Sequence, residues 1–282
     1  MQTRIILFFA GIVAATLLPG CGGGGSGDDV IASFYPLAFA AEQVGGGAPV
    51  ENLTPVGAEP HDLELSPGDV RQLVDARLVV YLGEGFQPAV EQALEQRDGP
   101  SLDVLEGQTL ATGAEGGLDP HVWLDPLRFA TMSEAIAGAL GDRGEAESLV
   151  TRLRALDGEY RRGLARCERR ELVTTHAAFG YLAARYGLTQ VPLAGLTPEA
   201  EPSAGDVADL VGEVERSGAT TIFTEPLVSS KLADTVAREA GVATATLDPL
   251  EGLTHARLAA GDDYFSVMRE NLAALRKALG CR

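Results

Sequence analysis

The sequence is poor in several residue types on which functional sites often depend. Its 282 residues contain only three cysteines, four histidines and one tryptophan. No Cys-x-x-Cys pair occurs, which argues against a cysteine-based metal or redox site. Basic residues are also scarce, since 22 Lys+Arg against 40 Asp+Glu give a formal charge of -18. Such a field repels nucleic acid and attracts cations, so we expect no nucleic-acid partner. A well-hydrated surface explains the same charge equally well.

The only long apolar run lies at the N-terminus. Arg4 precedes apolar residues 5–18, which are too few to span a bilayer but suit the core of a secretory signal. Leu18-Pro19-Gly20-Cys21 then resembles a bacterial lipobox, in which Pro19 is unusual, and a Gly-rich stretch follows it. We predict a signal peptide over residues 1–20 and a tether over residues 21–29, anchored to the membrane by lipidated Cys21. The protein would then be extracytoplasmic, at the cell surface or in the periplasm; an ordinary cleaved signal is the alternative.

Two cysteines remain if Cys21 is lipidated. Export implies an oxidising compartment, in which two such thiols often pair. We therefore expect a disulfide between Cys167 and Cys281.

The remaining pattern predicts an α/β fold. Short β-rich runs alternate with helical segments, which favours parallel sheets with helices on both faces. The runs cover residues 30–34, 50–55, 78–82, 101–105, 172–175, 189–193, 220–224 and 242–247. Residues 144–167 differ, because they carry an apolar stripe at helical spacing without proline. We predict an N-terminal lobe over residues 30–143, a linking helix over 144–167 and a C-terminal lobe over 168–282. A helix packed on one larger sheet is the alternative.

Three histidines and one aspartate lie where ligands bind in parallel sheets. His176 and Asp248 directly follow strand-like runs, and His61 lies in a loop after the second run. His121 lies in a loop bounded by Pro120 and Pro126. Ligands bind beyond the carboxyl ends of parallel strands. Imidazole and carboxylate groups suit borderline divalent metals, so these four residues are candidate metal ligands between the lobes.

Five segments resemble the zinc- and manganese-specific solute-binding proteins of ABC importers. They are residues 57–67, 119–126, 175–188, 223–231 and 247–250, of which Asp-Pro-His-Val-Trp-Leu-Asp-Pro at 119–126 is the most specific. The resemblance implies two α/β lobes joined by one long rigid helix, with a metal bound between the lobes. It places the metal ligands at His61, His121, His176 and Asp248. It further implies a monomer that carries Zn²⁺, or alternatively Mn²⁺, to the permease and ATPase of an ABC importer.

The sequence departs from that family in one respect. Many zinc-binding members carry a His-rich loop before the second ligand, but residues 107–117 contain no histidine. Manganese-binding members often have a carboxylate as the third ligand, whereas this chain has His176. Three imidazoles and one carboxylate favour zinc over manganese, which prefers oxygen donors and six ligands.

Other residues receive minor roles at this stage. Glu225 matches a family Glu-Pro, and we expect it to cap a helix or form a hydrogen bond rather than orient a ligand. Glu59 is a lesser candidate for a substitute carboxylate ligand, well behind the four named residues, and His255, which matches no motif, is a surface residue. A zinc hydrolase and an adhesin are the competing functions. The chain lacks the His-Glu-x-x-His motif of a metalloprotease, and an adhesin does not account for the four ligand-type residues.

Overall fold

A computed structural model describes residues 29–113, 116–141, 146–198 and 204–282. The predicted signal peptide, Cys21 and residues 22–28 of the predicted tether lie outside the described residues. No helix within the described ranges is both long enough and apolar enough to cross a membrane.

The first lobe is built on a four-stranded parallel sheet. The strands are β1 (Val30–Ala32), β2 (Glu51–Asn52), β3 (Leu78–Tyr81) and β4 (Ser101–Asp103), in the spatial order β2-β1-β3-β4. The helices between them are α1 (Tyr35–Val44), α2 (Pro67–Asp75) and α3 (Pro88–Leu94). Each strand lies within a run predicted from the sequence.

Helix α2 shows how local sequence sets an element boundary. Ser66 accepts hydrogen bonds from Gly68 N and Asp69 N, and Asp69 accepts one from Ser66 N in return. This capping box satisfies donors that the first helical turn leaves free, and Pro67 fits the first turn because it has no N–H. Residues 66–69 thus fix the start of α2.

Two helices connect the lobes, after a 3₁₀ turn over Val122–Leu124. They are α4 (Pro126–Leu140) and α5 (Ala146–Gly163). Helix α5 corresponds to the predicted linking helix, and it ends at Gly163, four residues before the predicted end at residue 167. The reason is that the Arg170 guanidinium donates to the carbonyls of Leu164 and Ala165 and replaces the next helical turn.

The second lobe repeats the plan of the first. Its parallel strands are β5 (Glu171–Thr174), β6 (Thr189–Pro192), β7 (Thr221–Thr224) and β8 (Ala243–Thr246), in the order β6-β5-β7-β8. Its helices are α6 (Gly180–Tyr186), α7 (Ala204–Ser217), α8 (Lys231–Ala240), α9 (His255–Ala260) and α10 (Tyr264–Leu279). The predicted fold class, two parallel-sheet α/β lobes with a long helix between them, is confirmed.

The two lobes share one hydrophobic core. The largest buried cluster takes residues from both sheets and from the connecting helices, including Phe34, Trp123, Tyr160 and Tyr264. Two buried tyrosine hydroxyls join α10 to the middle of the chain. Tyr160 on α5 donates to Met268 O at 2.6 Å, and Tyr264 on α10 donates to Trp123 O in the 3₁₀ turn at 2.7 Å. A shared core of this kind holds the cleft between the sheets in one geometry.

A disulfide ties the end of the connecting helix to the chain's C-terminus. It joins Cys167 and Cys281, which are 114 residues apart in the sequence. This is the pair expected from export. All residues between the two cysteines, and hence the whole second sheet, lie within the closed loop.

Candidate metal centre

Four side chains meet between the two sheets. His61, His121, His176 and Glu251 each offer one ligand atom, and these atoms all lie within 4.8 Å of one another. Among the described residues, none of the three Nε2 atoms and neither Glu251 oxygen has a hydrogen-bond partner. Buried polar atoms without partners are costly, so this site is built to receive a group that supplies the missing interactions.

The distances from Glu251 to the three imidazoles suit ligands of one shared metal ion. Glu251 Oε1 lies 3.5 Å from His61 Nε2, 3.4 Å from His121 Nε2 and 3.3 Å from His176 Nε2. Bonds of about 2.0–2.1 Å to a tetrahedral zinc ion would separate two ligand atoms by about 3.3–3.4 Å. The three measured separations lie close to that edge length.

His61 is held mainly by packing and by its backbone. It follows β2 in a loop, and its ring lies 4.5 Å from the ring of Phe86. Its backbone N–H donates to Glu59 Oε1 at 3.2 Å. Within the described part of the chain, Nδ1 of His61 has no carboxylate partner. Glu59, the lesser candidate for a carboxylate ligand, is not a member of the cluster.

Turn chemistry places His121. Asp119 Oδ1 accepts hydrogen bonds from the backbone N–H of His121 at 2.9 Å and from its ring Nδ1 at 2.8 Å. A carboxylate on Nδ1 assigns the proton to that nitrogen and leaves Nε2 free to bind a metal. The neighbouring Trp123 anchors this loop across the cleft, because its Nε1 donates to Pro249 O at 2.8 Å.

The end of β5 places His176. Its Nδ1 lies 2.8 Å from Glu225, which directly follows β7, and the Thr175 hydroxyl also donates to Glu225. Adjacent parallel strands end at the same edge of a sheet, which brings these residues together. Glu225 thus forms hydrogen bonds, as expected, and one of them is to the ring of a candidate ligand, the contact by which a carboxylate can orient an imidazole.

Asp248 is the one predicted ligand that the structure does not bring into the cluster. It follows β8 as expected, but its Oδ1 accepts the Leu250 N–H at 2.8 Å and its Oδ2 lies 3.3 Å from Arg257 Nε. The physical reason is the turn that follows the strand. Leu250 adopts a positive φ of 57°, and this turn directs the next residue, Glu251, into the site.

A sequence signal for Glu251 existed but was weak. Glu251 is the only charged side chain after Asp248 in the otherwise apolar segment 247–253, and it is 1% exposed. A carboxylate among leucines is seldom buried without a function. Two carboxylates three residues apart could each have been the ligand, and only the backbone turn distinguishes them. His255 is exposed at the start of α9, as expected, and lies outside the cluster.

Electrostatics prepare the site for a cation. Burial raises the pKa of Glu251, but the field of His176 and contacts with the three imidazoles outweigh it and hold that pKa well below its usual range. Burial lowers the pKa of His176, whereas Glu251 and Glu225 raise it to a net value of about 10. For His61, burial dominates and lowers the pKa. Without a metal, a proton on His176 therefore balances the Glu251 carboxylate.

Comparison with known proteins agrees with this geometry. The family profile of ZnuA, the periplasmic component A of zinc-uptake complexes, matches residues 30–278. The zinc-binding lipoprotein AdcA of Streptococcus pneumoniae is 37% identical over 276 residues, which cover 88% of this chain and 55% of that protein. The chain thus spans about half the length of the AdcA proteins it matches.

One further protein and one domain of AdcA match over most of their own length. The high-affinity zinc uptake system protein ZnuA of Bacillus subtilis is 34% identical over 277 residues, covering 89% of this chain and 87% of that protein. The crystal structure of the Zn(II)-bound ZnuA-like domain of S. pneumoniae AdcA superposes with a TM-score of 0.77 at 37% identity. That superposition covers 89% of this chain and 98% of the domain. The chain belongs to the ZnuA family of periplasmic zinc-uptake components.

Proposed function

We propose that this protein captures Zn²⁺ outside the cytoplasmic membrane and delivers it to the permease and ATPase of an ABC importer. The ion is the transported cargo, bound between the lobes by His61, His121, His176 and Glu251. Family membership supports the transport role, because the ZnuA profile describes a component of zinc-uptake complexes. The Zn(II)-bound AdcA domain supports the choice of metal.

The observation that carries this proposal is the close approach of Glu251 to three imidazole nitrogens. Its Oε1 is 3.3–3.5 Å from three imidazole nitrogens that have no hydrogen-bond partner. Zinc accepts four nitrogen and oxygen ligands readily, whereas manganese favours oxygen donors and usually six ligands. Mn²⁺ is the alternative cargo, and this ligand set disfavours it in both donor type and number.

A complete ligand shell also favours a carrier over an enzyme. Catalytic zinc sites keep an open position for water or substrate, while four protein ligands close the shell. Asp119 and Glu225 already bind the Nδ1 atoms of His121 and His176, so they are engaged as orienting groups. Neither of these two carboxylates is therefore free to act as the general base of a hydrolytic reaction.

The remaining proposals concern where the protein acts. Residues 1–20 serve as the export signal, lipidated Cys21 anchors the protein, and residues 21–29 let the folded part stand off the membrane. The lobes then correspond to residues 30–143 and 168–282, with the linking helix between them. Incorporation of a labelled fatty acid into the full chain, and its loss in a Cys21→Ala variant, tests the anchor.

The central experiment is metal content followed by direct competition. Protein purified without chelator should carry one zinc per chain by mass spectrometry, and Zn²⁺ should displace Mn²⁺ at comparable free concentrations. His255→Ala, a change at an exposed histidine, serves as the control and should bind zinc as the unaltered chain does. Displacement of zinc by manganese at equal free concentration would sink the zinc assignment and leave metal capture intact. A chain that binds neither metal would reject both.

A further inference from the structure

We propose that Asp248 is a positioning residue that holds the fourth metal ligand, Glu251, in place. The inference rests on the proposed zinc-binding function and concerns how the carboxylate ligand of the zinc ion is held in position. Glu251 itself gives the first indication. Its two oxygens accept no hydrogen bond from the described residues, although Oε1 lies 3.3–3.5 Å from the three imidazole nitrogens. These nitrogens attract the carboxylate, but the direction in which the side chain leaves the chain is set by its backbone.

That backbone is held in an unusual conformation. Leu250, directly before Glu251, has a φ of +57°, a region that residues with a branched or bulky side chain seldom adopt. Such a conformation persists only where the surroundings determine it fully, and it tends to occur at functional sites. Leu250 is itself completely buried, which adds packing to the forces that keep it there. The strained residue thus lies directly before the ligand whose direction it sets.

Asp248 supplies the hydrogen bond that closes this turn. Its Oδ1 accepts the Leu250 N–H at 2.8 Å, the pattern by which aspartate stabilises a turn two residues on. The other oxygen, Oδ2, lies 3.3 Å from Arg257 Nε, in an ion pair without hydrogen-bond geometry. Arg257 is fixed in turn by Asp262 at 3.1 Å and Glu270 at 2.8 Å. The carboxylate is therefore held from its far side.

The backbone of Asp248 is fixed as well. Its N–H donates to Asn271 Oδ1 at 2.9 Å, and its carbonyl accepts from Asn271 Nδ2 at 2.7 Å. Asn271 is buried on α10, so this double contact ties the loop to a helix of the second lobe. From the first lobe, Trp123 Nε1 donates to Pro249 O at 2.8 Å. Both lobes thus hold the short segment that ends at Glu251.

The two carboxylates, which lie three residues apart, therefore have different roles. Glu251 contacts the metal, and Asp248 sets the turn that directs Glu251. An acceptor at the Oδ1 position is all that the turn requires of residue 248. A negative charge there is not needed for ligation, so asparagine should serve almost as well as aspartate, and alanine should not.

The test compares Asp248→Asn with Asp248→Ala in the full chain. Zinc affinity is measured by chelator competition, and the ligand shell by the visible spectrum of the Co²⁺-substituted protein. Asp248→Asn should bind zinc within about threefold of the unaltered chain, with the same Co²⁺ spectrum. Asp248→Ala should lose at least tenfold, in line with partners that orient metal ligands. Its Co²⁺ absorption should weaken as water replaces a poorly placed Glu251.

Three results would overturn the proposal. If Asp248 were itself a ligand, Asp248→Asn would lose as much affinity as Asp248→Ala and would alter the Co²⁺ spectrum. If Asp248 had a purely structural role, Asp248→Ala would unfold more easily while its Co²⁺ spectrum stayed unchanged. If the turn did not matter at all, neither variant would differ from the unaltered chain.

Two further variants keep the test decisive. Should Asp248→Ala fail to fold, Asn271→Ala removes the other hold on the same turn and should give the same weakened Co²⁺ spectrum. Glu251→Gln separates this inference from the proposed function, because it should lose affinity whether or not Asp248 positions it. Unchanged affinity in Glu251→Gln would reject the ligand set itself.

Discussion

The two lobes have the same strand order but hold their metal ligands by different means. In the second lobe, His176 and Glu251 follow β5 and β8, and Glu225, which follows β7, orients His176 through its carboxylate. In the first lobe, His121 follows no strand and depends on an Asp119 turn, while His61 depends on packing against Phe86. One half of the site is thus organised by a sheet edge, and the other by turns and aromatic packing.

This difference teaches that equal topology does not imply equal construction of a site. A parallel sheet delivers the ends of its strands to one edge, so a ligand there needs only short local support. A ligand on a longer loop needs its own constraints, which Asp119, prolines and Trp123 provide in the first lobe. The lobes can therefore be tested separately, by changes that touch one construction and not the other.

The largest effect is expected from the disulfide, which closes a loop around the second lobe only. In the chain-entropy model, a loop of 114 residues contributes about 4–5 kcal/mol to the free energy of unfolding. A double Cys167→Ser, Cys281→Ser variant should lose stability on that scale in urea unfolding of the metal-free protein. Its zinc affinity should change little, since neither cysteine touches the site. An unchanged unfolding midpoint would contradict the prediction.

The next effect compares one ligand from each lobe. His121→Ala and His176→Ala should each lower zinc affinity by more than about a hundredfold, because removal of a ligand costs more than removal of the partner that orients it. Competition with a chelator of known affinity measures both variants, with His255→Ala as the matched histidine control. A much smaller loss for one of the two would show that its lobe contributes little to binding.

A smaller effect is expected from the orienting carboxylates. Asp119→Ala releases His121 in the first lobe, and Glu225→Ala releases His176 in the second. Each should lower zinc affinity by about 10- to 100-fold, the usual range for such partners. Each carboxylate also accepts the backbone N–H of the histidine it contacts, Asp119 from His121 at 2.9 Å and Glu225 from His176 at 3.3 Å, so each loss should also loosen the local backbone. Amide hydrogen exchange around residues 119–125 and 171–176 measures that loosening, and unchanged protection in both segments would contradict the prediction.

The smallest effect concerns the dependence of zinc affinity on pH. The pKa of His176 is raised to about 10, so this imidazole carries a proton at neutral pH that zinc must displace. A lower pH favours the protonated ring, so zinc affinity should fall by roughly tenfold per pH unit below neutrality. The pKa of His61 is lowered, so that ring is already neutral and adds little to this dependence near pH 7. Calorimetry in two buffers of different ionisation enthalpy would count the released protons, and a count of zero would contradict the prediction.

Sequence patterns were sufficient for most of the architecture. Each of the eight predicted strand runs overlaps an observed strand, because apolar β-branched runs between turn signals depend mainly on local sequence. The end of the linking helix was placed four residues too late. Its apolar stripe continues to Cys167. Arg170, which lies beyond the predicted helix, donates hydrogen bonds to the carbonyls of Leu164 and Ala165, which a further helical turn would otherwise use. A contact of that kind leaves no periodic signal.

The shared topology of the lobes was also invisible in the sequence. No repeat can be recognised between the two halves, although both sheets have the same strand order. Topology depends on the order and length of elements, and many different apolar sequences can fill the same positions. Only the hydrogen-bonded register of the strands reveals the correspondence.

The sequence by itself determined that this protein has two α/β lobes and that His61, His121 and His176 are the candidate nitrogen ligands, since few histidines exist and each lies in a recognisable motif. Tertiary structure decided the fourth member of the cluster. Asp248 and Glu251 carry the same chemical group three residues apart, and a single left-handed residue, Leu250, separates their directions. Asp248 closes the turn locally, but Asn271 and Trp123, which lie far away in the sequence, hold the segment in place, so the local pattern alone could not have predicted which carboxylate reaches the site.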